Sequence, residues 1–171
     1  IYSDMKKRTT KKKGVNGRKK GQAAERKLAK LFAQWWGAEF ARTPLSGGFA
    51  TAKFREDWNA SGDRVTPDPT FPFTVESKKV EGWHLEQILY SNKTLIHKWW
   101  EQTVRETPEG KISLLVFTRN RQKLFACMLV DCFQAEIITE GFGFFITSLG
   151  EDMVIIFPLE ALLKSRKELW M

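Results

Sequence analysis

The feature that most constrains the fold is a pair of apolar runs, residues 112–118 (ISLLVFT) and 124–130 (LFACMLV), linked by the polar stretch Arg119-Asn120-Arg121-Gln122. Runs this short and this apolar read as two buried strands joined as a hairpin. Strands of that kind need partners to cover them. Upstream, Ala24, Leu28, Leu31, Phe32, Trp35 and Trp36 recur at the three-to-four spacing of one helical face, and Gly37 is placed to stop that helix. Residues 38–41 fit a short strand, and residues 43–62 read as a long loop rich in Gly, Ser, Pro and Asn. In residues 71–79, Phe73, Val75 and Ser77 alternate with Thr74, Glu76 and Lys78, the period of a strand. Residues 84–106 look mostly helical, with a break near Ser91 and Asn92. Residues 142–147 and 153–157 predict two further strands about a turn at Leu149-Gly150-Glu151-Asp152, and residues 158–169 a closing helix with Pro158 in its first turn. The order predicts an α/β domain with a mixed central sheet flanked by helices.

A chain of 171 residues suggests one domain, expected over residues 20–171 behind a disordered basic arm at residues 1–19. The net charge of +8 is unevenly placed. Residues 1–30 hold twelve of the 28 Lys and Arg but only two of the 20 acids, which leaves sixteen basic and eighteen acidic residues in the remainder. A cationic arm of this kind suits a phosphate backbone, whose counterions it releases; a solubilising tail or an acidic partner is the plainer alternative. No apolar run is long enough to cross a bilayer, and the basic N-terminus lacks the apolar segment of a secretory signal, so a cytoplasmic protein without a membrane partner is expected. The two cysteines, Cys127 and Cys132, fit no zinc spacing and read as reduced core thiols. His84 and His97 stand 13 residues apart without a third soft ligand nearby.

The chemistry gathers around Glu76 and Lys78. Two residues apart on a strand, they project from one face. A carboxylate and an ammonium on a half-buried face are costly unless they serve each other or a ligand. Asp63 lies 13 residues upstream of Glu76, beside Gly62. If the strand that it borders pairs with residues 71–79, the two carboxylates converge and can hold a hard divalent cation such as Mg²⁺. The bland reading is an exposed strand face with an incidental Glu-x-Lys.

Asp63, followed by Glu76-Ser77-Lys78 at the end of a hydrophobic strand, resembles the signature of the PD-(D/E)XK nuclease superfamily. Within it the chain most resembles Holliday junction resolvases of the archaeal type and their phage-encoded relatives. Glu25, in Ala24-Glu25-Arg26 behind the basic stretch Gly17-Arg18-Lys19-Lys20-Gly21, matches an acid on the first helix that reaches the metal site. Arg42-Thr43-Pro44-Leu45-Ser46-Gly47-Gly48 resembles the family's arginine and serine-glycine loop, and Gln87-Ile88-Leu89-Tyr90 its glutamine helix motif. The likeness covers about residues 14–130. Pro67-Asp68 also spells part of the family's name. Asp63 is preferred because Gly62-Asp63-Arg64-Val65 resembles the strand entry, whereas Asp68 between two prolines suggests a turn.

The resemblance implies a restriction-endonuclease-like fold and catalytic residues Glu25, Asp63, Glu76, Lys78, Gln87 and Ser46. It implies Mg²⁺, replaceable by Mn²⁺, held by Asp63, Glu76 and Glu25. DNA contacts are expected at Arg18, Lys19, Lys20, Arg42, Arg119 and Arg121. It further implies a homodimer that cuts four-way DNA junctions in pairs, in the host cytoplasm if phage-encoded. The rivals are a duplex- or structure-directed nuclease of the same fold, a DNA-binding module without catalysis, and an RNA-binding protein with a basic tail.

Overall fold

A computed structural model describes residues 17–42, 59–61, 64–66, 68–137 and 141–171. The first helix, α1 (Gly17–Trp36), buries Leu28, Ala29, Phe32 and Trp36 and ends where Gly37, at φ 79°, donates its N–H to Ala33 O at 2.9 Å. A left-handed residue at this point is the ordinary helix stop, and glycine adopts it without a Cβ penalty. Because α1 begins at Gly17, residues 17–19 are helical rather than part of a disordered arm.

Three short strands follow: β1 (Ala41–Arg42), β2 (Asn59–Ser61) and β3 (Arg64–Thr66). They pair antiparallel in the order β1-β3-β2. A second sheet takes β4 (Phe73–Lys79), β5 (Ile112–Thr118), β6 (Phe125–Leu129), β7 (Phe145–Leu149) and β8 (Asp152–Pro158), in the order β4-β5-β6-β8-β7. β4 and β5 run parallel and the other pairs antiparallel, so the sheet is mixed. The parallel pair needs a crossover, which a 3₁₀ turn (Leu85–Leu89) and α2 (Leu95–Glu106) supply. Thr94 caps α2 by accepting from His97 N, and Ile96, Trp99, Trp100 and Thr103 form its buried stripe.

Alternation along the strands sorts the core into two halves. On one face Phe73, Val75, Leu114, Val116, Ala126, Met128, Ile155 and Phe157 pack with Leu28, Phe32 and Trp36 of α1 and with Leu159 and Leu162 of α3 (Leu159–Lys164). On the other, Leu115, Phe117, Cys127, Val154 and Ile156 pack with Ile96, Trp99 and Trp100 of α2 and with Trp83. Helices therefore cover both faces of the five-stranded sheet, the architecture of a restriction-endonuclease-like α/β fold.

Several elements differ from the sequence expectation. The central sheet is joined by a separate three-stranded one, part of which falls in the expected long loop at Asn59–Ser61. β7 sits three residues later than expected, at Phe145–Leu149. The closing helix is broken: α3 ends at Lys164, Ser165 is extended at ψ 156°, and a 3₁₀ turn resumes at Lys167–Trp170. The break has a tertiary cause, because Trp35 Nε1 donates to Ser165 O at 2.8 Å and Trp170 Nε1 to Ser165 Oγ at 3.3 Å.

Phe32 lies fully buried in an aromatic cluster with Trp35, Phe40 and Phe71. Phe32→Ala is expected to cost about 3–5 kcal/mol in urea unfolding. A loss below about 1 kcal/mol would mean that this cluster collapses around the hole or is not the core.

Candidate active site

β4 is apolar on one face and polar on the other. Phe73 and Val75 enter the α1 side of the core, whereas Thr74, Glu76 and Lys78 alternate with them and turn toward α2. Thr74 and Glu76 are 1% and 4% exposed, so a carboxylate sits essentially out of water in the sheet. Such a group costs several kcal/mol unless charge and hydrogen bonds compensate it. Lys78 provides both: its Nζ lies 2.5 Å from Glu76 Oε1, with the lysine side chain 20% exposed and the glutamate 5%. β5 sets the apolar wall beside them, since Glu76 is in register with Leu115 and Lys78 with Phe117.

The lysine has a second partner that the sequence reading missed. Lys78 Nζ donates to Gln102 Oε1 at 2.9 Å, and Gln102 Nε2 donates to Glu106 Oε1 at 3.0 Å. Gln102 and Glu106 are one turn apart on α2, 24 and 28 residues beyond Lys78, and only the crossover brings them to β4. The available signal was the α2 pattern itself. With Trp99 and Thr103 facing the sheet, Gln102 borders the same face. Gln87, the glutamine expected here, is exposed, and its amide oxygen accepts from His84 N at 3.2 Å to cap the 3₁₀ turn.

Glu25, near the start of α1, is half-buried and lines a cavity of about 180 Å³ with Gly21, Ala24, Ser77, Lys78 and Lys79. It therefore stands at the C-terminal end of β4, on the α1 side, while Glu76 faces α2. Lys78 borders both regions. Asp63 lies outside the described residues. β3 abuts β4, but its hydrogen-bonded partners are β1 and β2. Among the described residues no three His, Cys, Asp or Glu side chains gather as a metal cage.

Asp68 is at the other end of the strand. Its carboxylate accepts from Trp36 Nε1 at 2.8 Å, from Thr70 Oγ1 at 2.6 Å and from Thr70 N at 2.9 Å. Trp36 ends α1, eleven residues from Glu25, so Asp68 lies roughly 16 Å along the helix axis from the Glu25 end. The Thr70 hydroxyl, assisted by the Thr70 N–H and the Trp36 indole, holds the Asp68 carboxyl below its ordinary range against a burial effect in the opposite sense. This is a turn clasp that ties the lead into β4 to the end of α1.

Ser46, expected to be catalytic, lies outside the described residues, as do the side chains of Arg18, Lys19, Lys20 and Arg42 among the expected DNA contacts. Arg119 is half-buried; its Nη1 donates to Trp83 O at 2.8 Å and meets His84 Nδ1 at 3.1 Å, and its guanidinium lies over the Trp83 ring. Arg121, at the hairpin tip, is exposed and holds φ 63°. Trp83, Trp99 and Trp100 belong to the core, not to a stacking surface. Burial raises the thiol pKa of Cys127 far above its ordinary value and that of Cys132 to a lesser degree, in line with inert reduced thiols. No described helix is long and apolar enough to cross a membrane.

A family model described as "Phage putative PDDEXK endonuclease" matches residues 16–150 of the chain. No curated protein and no solved structure matches it.

The clasp gives a test that separates the two aspartates. A carboxyl with a lowered folded pKa contributes stability above its unfolded pKa and loses it as pH falls through the folded value. Asp68→Asn is therefore expected to lower the unfolding midpoint at neutral pH, to lower it progressively less under acid conditions, and to leave cleavage intact. Loss of cleavage with unchanged stability would transfer the catalytic role to Asp68.

Proposed function

The chain belongs to the phage PDDEXK endonuclease family, and from that premise we propose that it hydrolyses DNA at a divalent-metal site built on the C-terminal half of β4. The observation that carries this reading is the buried Glu76 carboxylate with the Lys78 ammonium 2.5 Å away, at the end of a strand that is otherwise core. That combination suits metal-assisted phosphodiester hydrolysis. Glu76 is a hard oxygen donor withdrawn from competing water, which suits Mg²⁺ or Mn²⁺. Glu76 and Asp63 would hold the ion, with Glu25 reaching it through water from the α1 side.

When bound, the ion supplies Lewis acidity toward a phosphate oxygen and lowers the pKa of a coordinated water. The protein's own part is positional. Lys78 holds a positive charge at the strand end, where it stabilises negative charge gathering on the phosphorus oxygens. The walls formed by Leu115 and Phe117 keep the surroundings of Glu76 apolar, which strengthens each electrostatic contact there. Ser46 would approach the scissile phosphate. Arg18, Lys19, Lys20, Arg42, Arg119 and Arg121 would position the backbone without reading sequence.

The favoured substrate is a four-way DNA junction, cut by a homodimer. Two copies related by a two-fold axis would present two sites to a pseudo-symmetric junction and deliver paired cuts. The resemblance of residues 14–130 to resolvases supports this substrate.

The experiment is cleavage of a labelled four-way junction and of the matched linear duplex, with and without Mg²⁺. Symmetric, Mg²⁺-dependent cuts in the junction alone are expected. Glu76→Gln should slow them by at least about 100-fold while junction binding is retained, since the basic surface is untouched. Cutting of both substrates would keep the chemistry and remove the junction preference. Undiminished cleavage by Glu76→Gln would remove Glu76 from the site.

A further inference from the structure

Lys78 is a long, flexible side chain on the last residues of an edge strand, and an ammonium can satisfy Glu76 from many rotamers. A lysine gives up much rotamer freedom when fixed, so a single-partner contact leaves it mobile. Here it is fixed from two sides. Glu76 Oε1 accepts from one direction and Gln102 Oε1 from another, across the gap between β4 and α2. The amide end of a glutamine is symmetric in shape but not in chemistry: turned over, Gln102 would aim an N–H₂ donor at the ammonium and repel it. Glu106 prevents that flip. Its carboxylate accepts from Gln102 Nε2 at 3.0 Å, which only the observed orientation allows.

We infer that Gln102, oriented by Glu106, is a positioning residue that holds the Lys78 ammonium in place for phosphodiester cleavage. This rests on the reading of Lys78 as part of the nuclease site. Neither α2 residue touches the metal or the DNA in this scheme. They act through the lysine, so their removal should change turnover and not substrate capture. Outer partners of this kind typically change activity by about 10–100-fold. Glu106 acts only through Gln102, so its effect should vanish once the amide is gone.

The test uses the full chain and two readouts. Gln102→Met keeps the length of the side chain and removes the acceptor. Reductive methylation with formaldehyde, followed by peptide mass spectrometry, reports the accessibility and freedom of the Lys78 amine, with the exposed Lys79 as internal reference. Methylation of Lys78 is expected to rise several-fold in Gln102→Met relative to Lys79. In cleavage of the four-way junction, kcat should fall about 10–100-fold with KM within twofold. Glu106→Gln should give a smaller loss in kcat, and none in the Gln102→Met background. Unchanged methylation overturns the inference whatever the kinetics, as does faster methylation with unchanged kcat. If the wild-type protein cuts no DNA yet Lys78 methylation rises as described, the positioning contact stands and the nuclease reading falls.

Discussion

The structure depends on one constraint: the central strands of the five-stranded sheet must bury both faces between helical layers. β5, β6 and β8 meet it with apolar residues on alternate sides, Leu114 and Val116 against Leu115 and Phe117, Ala126 and Met128 against Cys127, Ile155 and Phe157 against Val154 and Ile156. β4 meets it on the α1 side and departs from it on the α2 side, where Thr74, Glu76 and Lys78 take positions that packing would give to Val or Leu. Polar residues at a buried strand face oppose stability, and folds accept them mainly where chemistry requires them. The two ionisable residues of that face lie in the C-terminal half of an edge strand, beside the end that also receives Glu25.

The readable part of this fold was the part governed by local periodicity. The paired apolar runs became β5 and β6, the helical stripe from Ala24 to Trp36 became α1, and Gly37 ended it. Glu76 and Lys78 were legible as a same-face pair because a strand's period is two. What was not legible depended on distant partners. Ser165 breaks the closing helix because the Trp35 indole, 130 residues away, takes its carbonyl. Gln102 reaches Lys78 only through the β4-α2-β5 crossover, whereas the amide of Gln87, the glutamine nearer in sequence, serves a local cap. Asp68 illustrates the same point in reverse. Its flanking prolines suggested a turn, and its bonds to Trp36 and Thr70 make it one. Asp63 and Ser46 lie outside the described residues, and their place rests on the family resemblance.

The pair itself is an unusual way to fill a sheet. Burying two charges sacrifices solvation that their mutual attraction only partly restores, and apolar replacement of such a pair is often neutral or stabilising by about 1–4 kcal/mol. Removing one partner alone is different, because it strands the other charge. If Glu76 and Lys78 are kept for their chemistry, the fold should not need them together. If they are instead the tie between β4 and α2, their loss should loosen the whole crossover.

The most direct measurement is therefore the unfolding free energy, by urea, of the double variant Glu76→Leu/Lys78→Met against the wild-type chain. A stability equal to or above that of the wild type is the result predicted for a site maintained at the expense of packing. A loss of about 3 kcal/mol or more, the size expected when a needed buried pair is broken, would contradict it and make the pair a structural tie.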